Sequence, residues 1–291
     1  MTYLKKTLAV TAAAMVALTA PAAASQTRTL AHFDIAQGQL PENITLEPDG
    51  SADVTWAAAG QVARVRPDGH VEVLTNLPAG GRASGIVRSA AGTIYFLHFG
   101  GGLPAGVYQI KPGQPAELYT ALPDTVFPNG LALDGYTLYL TDSSTGTIWR
   151  VRHRQATKWL TAPILAPSTP SGFGVNGIKL HGGAVWVSQT EKGLLLRIPV
   201  RSDGSPGAIQ TKAQVTGIDD FTFGHGDEVF AANNFGSEVV LLHPNGSQQT
   251  FLTAQDGLSN PTSIAVRGNK VYVANAAYFT QKDPNVLVAK Q

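Results

Sequence analysis

The sequence predicts an all-β fold, a six-bladed propeller with four antiparallel strands per blade. Three observations carry that prediction. One pattern recurs six times along the 291 residues. Each recurrence reads as short alternating strands split by Gly, Asp or Asn. No amphipathic helical period of useful length follows the first two dozen residues.

The recurrences begin "PENITLEPDGSADVTW" (41–56), "ASGIVRSAAGTIYFL" (83–97) and "PNGLALDGYTLYLTD" (128–142). They continue with "VNGIKLHGGAVWVSQ" (175–189), "IDDFTFGHGDEVFAAN" (218–233) and "PTSIAVRGNKVYVAN" (261–275). Equivalent first positions are Glu42, Ser84, Asn129, Asn176, Asp219 and Thr262, spaced by 42, 45, 47, 43 and 43 residues. In the third unit Leu131 and Leu133 alternate, Asp134-Gly135 turns, and Leu138 and Leu140 alternate again. Third strands follow as "TIWRV" (147–151), "LLRIPV" (195–200) and "EVVLLH" (238–243). Fourth strands include "HVEVLTN" (70–76) and "QQTFLTA" (248–254). Four strands in about 45 residues is the length of a propeller blade. The sixth unit supplies only "SIAV", "KVYVAN" and "NVLVA" (285–289). The stretch "TRTLAHFDI" (27–35) is predicted to fill its outer edge and close the ring, which leaves no open blade. One domain over 25–291 follows, because sheet faces are buried only in a closed ring.

Residues 1–24 stand apart. Lys5-Lys6, the apolar run "TLAVTAAAMVALTA" and the exit "PAAAS" read as a secretory signal cut after Ala24. The run is short for a membrane span. Without Lys5 and Lys6, 19 basic residues remain against 20 acidic ones, so the chain carries no basic surface for nucleic acid. An exported, secreted or periplasmic protein without membrane attachment is expected, acting as a monomer on a small molecule. There is no cysteine, which excludes thiol nucleophiles, disulfides and zinc-thiolate sites.

The innermost strands of a propeller open at one end of its channel. The six first positions therefore converge, and each bears an oxygen. Ser84 and Thr262 read equally well as turn-forming residues. Taken alone, Asn129-Gly130 is also a tight turn. Glu42, Asn129, Asn176 and Asp219 together concentrate the carboxylate and amide oxygens that a hard cation prefers, calcium above magnesium or zinc.

This order of motifs, "PENI", "FPNGLAL", "VNGIKL" and "IDDFTF", resembles the regucalcin/gluconolactonase family over roughly 35–290. Wider relatives of that family are the diisopropyl-fluorophosphatases and paraoxonases. The resemblance implies a divalent ion, usually calcium, held at the channel mouth by Glu42, Asn129, Asn176 and Asp219. It also implies hydrolysis of lactones or organophosphate-like esters. Sugar-lactone members typically carry Arg two residues before the third-repeat Asn. Phe127 stands there instead and points to a less polar ligand. Asn43 stands where many members have Gly. Asp220 adds a second carboxylate beside Asp219, as an extra ligand, a proton acceptor or a turn residue.

On such a scaffold Asp219 either activates a water or attacks directly. The loops after the second strands are expected to wall the substrate. From them Trp56, Phe99, Phe235 and Tyr278 offer apolar surface, and Asp142, Gln189, Glu191 and Asn233 offer polar groups. His98, read in a loop over 97–106, is either an alternative base or a bystander. No Gly-x-Ser-x-Gly elbow supports a serine hydrolase. A non-catalytic binding propeller is the alternative from another class, and a synthase or lyase on a related scaffold fits less well.

Overall fold

The computed structural model describes residues 26–291, and the signal read in 1–24 lies outside the described residues. The alternation folds as strands throughout. Among the described residues six four-stranded antiparallel sheets form, each in simple sequence order except the last. Blade three, for example, runs Pro128–Asp134, Thr137–Asp142, Thr147–Arg152 and Gln155–Thr161. The six inner strands are Pro41–Leu46, Gly81–Arg88, Pro128–Asp134, Val175–His181, Ile218–Phe223 and Pro261–Arg267. Each touches the inner strands of both neighbouring blades, which closes a ring about a channel.

Closure comes from the N-terminal strand. Thr27–His32 pairs antiparallel with Asn285–Lys290 as the outer strand of blade six, from Thr27 opposite Ala289 to His32 opposite Asn285. The sequence expectation of 27–35 overshoots slightly, because Asp34 caps a short 3-10 turn at Ile35–Gln37. Among the described residues no helix is long and apolar enough to cross a membrane.

The core lies at the seams. Six apolar clusters each join two adjacent blades, such as Leu97 and Val107 of blade two with Leu131, Leu140 and Trp149 of blade three. Trp56, Phe96, Phe221 and Phe230 are fully buried there. Each such side chain contributes about 1.5–3 kcal/mol of burial.

Every inner strand breaks register with its neighbour near its start, between Pro41 and Asn43, Ala83 and Ile86, Pro128 and Leu131, Val175 and Ile178, Ile218 and Phe221, and Pro261 and Ser263. Such bulges re-aim side chains. They also free backbone groups, and a second-strand hydroxyl takes these up. Thr141 Oγ1 accepts from Gly130 N at 2.8 Å and donates to Asn176 O of the next blade. Ser188 does the same between Gly177 N and Asp219 O. The Asn129-Gly130 pair is therefore no tight turn. Both residues lie inside a strand, and Gly130 is needed because a Cβ there would sit 2.4 Å from Asn176 O.

Candidate functional site

The bulges bring Glu42, Ser84, Asn129, Asn176 and Asp219 into one cavity of about 340 Å³ at the channel mouth. Thr262 does not line it. Its hydroxyl donates to Pro41 O at 2.8 Å, and Ser84 Oγ donates likewise to Pro128 O at 2.7 Å. These two hydroxyls are engaged with the seams.

The remaining four are poised differently. Asn129 Nδ2 donates to Ser143 Oγ at 3.3 Å. Asn176 Nδ2 donates to Thr190 Oγ1 at 3.1 Å and to Asp219 Oδ1 at 2.7 Å. With both amide nitrogens engaged, each Oδ1 is left free to accept. Tyr278 donates its hydroxyl to Glu42 Oε2. Burial pushes Glu42 up to about 6; the Tyr278 hydrogen bond opposes that rise and the Asp220 charge adds to it. Asp219 is raised well above the ordinary carboxylate range by burial first, then by the charges of Glu42 and Asp220, against its hydrogen bond from Asn176. Burial also raises Tyr278. The side-chain partners of these two carboxylates are an amide and a phenol, neither of them a cation.

Among the described residues no group of three or more His, Cys, Asp or Glu forms a metal cluster. The ring offers a different donor set, two carboxylates and two amide oxygens. That set fits a hard, oxygen-preferring cation that keeps waters in its shell. It also fits the electrostatics, since a dication would offset the burial and the mutual repulsion that hold both carboxyls high.

Asp220 faces away from the mouth cavity. It is buried, accepts from Lys179 Nζ at 2.7 Å on both oxygens, and accepts from Ser263 Oγ at 2.6 Å.

Of the residues predicted to meet substrate, Phe127, Phe235 and Tyr278 line the cavity, and Trp56, His98, Gln189 and Asn233 do not. Trp56 ends its strand pointing into the seam, edge-on to Phe33 with ring centroids 5.1 Å apart. His98 is not in a loop. Pairing of Gly81 with Gly100 extends the strand Ile94–Gly100 past it, and its ring is fully buried. Burial lowers its pKa, which favours the neutral ring. Gln189 is spent on Lys192 N and Ala166 O. Asn233 closes its own turn through Gly236 N.

The other polar candidates act one step back. Asp142 accepts from Val126 N and Phe127 N, fixing the segment that carries Phe127. Glu191 accepts from Ser168 N and donates its own backbone N–H to Phe173 O, holding the loop that carries Phe173. The lining also includes Arg82, Phe99, Phe173, Thr190, Asn234 and Phe279. Phe99 was visible in the second-strand loops. Arg82 had a signal too, since it precedes Ser84 by the same two residues that separate Phe127 from Asn129. Phe173 sits in a connection between blades and carries no pattern.

Fold and site together define a six-bladed propeller whose mouth carries oxygen donors beneath aromatic walls. No protein-family model matches the chain, and no curated protein matches it. Solved structures do. A calcium-binding protein, regucalcin, from Agrobacterium tumefaciens strain C58 is 16% identical, with TM-score 0.70 over 91% of this chain and 93% of that one. A gluconolactonase from Xanthomonas campestris is 15% identical, with TM-score 0.71 over 91% and 89%. A catalytically inactive virginiamycin B lyase from Staphylococcus aureus is 16% identical, with TM-score 0.63 over 92% and 99%. At such identities the likeness is one of fold, and the presence of both a lactonase and a lyase shows that the fold alone does not fix the chemistry.

Proposed function

We propose that this chain is an exported, calcium-dependent hydrolase of small lactones or esters, working as a monomer at the channel mouth. The observation that carries the reading is the pair Glu42 and Asp219. Both are raised by burial, among the described residues neither contacts a cationic side chain, and both share a cavity with the amides of Asn129 and Asn176. The regucalcin and gluconolactonase neighbours support the same choice. Export rests on the N-terminal pattern.

Glu42, Asn129, Asn176 and Asp219 would hold the ion. When bound, calcium supplies a Lewis acid for the substrate carbonyl oxygen and favours the ionised carboxylates. The protein's own groups do the rest. Tyr278 orients Glu42 through its hydroxyl. Asn176 fixes Asp219 through one oxygen, which leaves the other toward the cavity. In that position Asp219 takes a proton from a water attacking the carbonyl carbon and returns it to the leaving alkoxide as the acyl C–O bond breaks. Direct attack by Asp219 uses the same geometry and yields the same hydroxy acid after hydrolysis. Phe99, Phe127 and Phe173 keep bulk water from the reacting carbonyl.

The test is turnover across a panel of lactones and aryl esters, with calcium and then with chelator. Activity lost with chelator and restored by calcium is expected. Metal-independent turnover would refute the mechanism.

A further inference from the structure

The mouth cavity is strongly one-sided in chemistry. Phe99, Phe127 and Phe173 form one continuous wall, with ring centroids 5.1 and 5.9 Å apart. Phe235 and Phe279 pair at 5.4 Å, both largely exposed. Phenyl rings offer no hydrogen bonds, so a ligand with many hydroxyls would lose solvation there without return.

Among the described residues one cationic side chain lines this cavity, Arg82. Its guanidinium makes no hydrogen bond or ion pair within the described chain, although most other arginines here do. Its base is well fixed. Arg82 pairs with Phe99 across the strands, and the buried His98 ring contacts Arg82 O through Nδ1 at 3.1 Å. Arg82 is solvent-exposed, so its guanidinium stands at the rim of the cavity. A fixed backbone, an unpartnered guanidinium and aromatic walls beside it make a receptor for one planar oxyanion, because the guanidinium fork matches a carboxylate on two oxygens.

We propose that the pocket selects a lactone or ester with an apolar, ring-sized body and a single carboxylate, and that Arg82 binds that carboxylate. The bond that breaks rests on the hydrolase reading above; the binding preference does not.

The experiment uses two probes without a scissile ester, 4-phenylbutanoate and 4-phenylbutanamide, titrated calorimetrically into the protein in chelator. Chelator keeps the acid from binding through a metal. The acid should bind a fewfold tighter than the amide, as expected for a solvent-exposed charge pair. R82Q should bind both alike, R82K should keep part of the preference, and unchanged amide affinity in each variant certifies an intact pocket. Equal affinities in the unaltered protein, undetectable binding of the acid, or a preference surviving in R82Q would each overturn the proposal. A protein that shows the preference but hydrolyses nothing removes the hydrolase reading alone. One that hydrolyses neutral esters without the preference removes this inference alone.

Discussion

At the channel mouth Asp219 keeps company with Glu42 and accepts from one amide, and its carboxyl is held high. One residue further on, Asp220 sits in the channel wall. It has an ammonium on both oxygens and a serine hydroxyl besides. Lys179 also lines a second cavity of about 390 Å³ further along the inner strands, between apolar residues such as Val87, Ala132 and Ala265. The two carboxylates have the same chemistry and nearly the same depth. They differ in whether the protein itself completes their neutralisation. A buried acid with its cation in place contributes to structure. A buried acid without one is set up for a cation from outside.

The sharpest way to break this contrast is to neutralise each acid in turn. Asp219→Asn should lower ester or lactone turnover on the order of a thousandfold, the loss typical of a removed general base, while leaving the melt intact. Substantial residual activity in a kinetic assay would merge the two sites into one class. Asp220→Ala should act on the fold instead. It strands Lys179, whose side chain is 25% exposed, and should cost about 3 kcal/mol in urea unfolding. Replacing Lys179 with Met in the same chain should return part of that loss.

The pH dependence sharpens the contrast at a smaller scale. Glu42 at about 6 in the folded protein exceeds its ordinary 4.5, so folding favours its protonated form. That contribution is fully present below about 4.5 and is lost as pH rises through about 6, a change of about 2 kcal/mol at most. Asp219 is raised and acts with the same sign. Calcium bound as proposed would favour the ionised forms, so its effect on the melting temperature should grow across that interval. A calcium-induced shift that stays flat with pH would separate the ion from these carboxylates. The smallest effect is expected from Tyr278→Phe. Losing the hydroxyl that lowers Glu42 should move its titration further up and weaken calcium binding a fewfold near neutral pH, read by calorimetry.

The repeat made the architecture readable. Spacing alone placed Glu42, Asn129, Asn176 and Asp219 together, because the same backbone bulge recurs at each. The walls were harder to read. Trp56 ends its strand and His98 lies inside one, both with buried side chains, and the sequence does not mark where a strand yields to a loop. Gln189 reads as a polar group for the substrate wall but serves a neighbouring loop. Phe173 and Phe279 reach the cavity from irregular connections that are held by Glu191 and Asn260, long-range contacts with no local signal.

The hydroxyl ties at Thr141 and Ser188 involve only backbone partners on either side. Whatever side chain stands at 129, 176 or 219, the belt that holds adjacent blades remains the same. At 129 and 176 the seat at the mouth is thus decoupled from the fastening beneath it, whereas at 84 and 262 the seat's own hydroxyl is the fastening. A lineage can exchange an oxygen donor for a hydroxyl or a hydrocarbon one seat at a time, trying new chemistry while the scaffold stays shut.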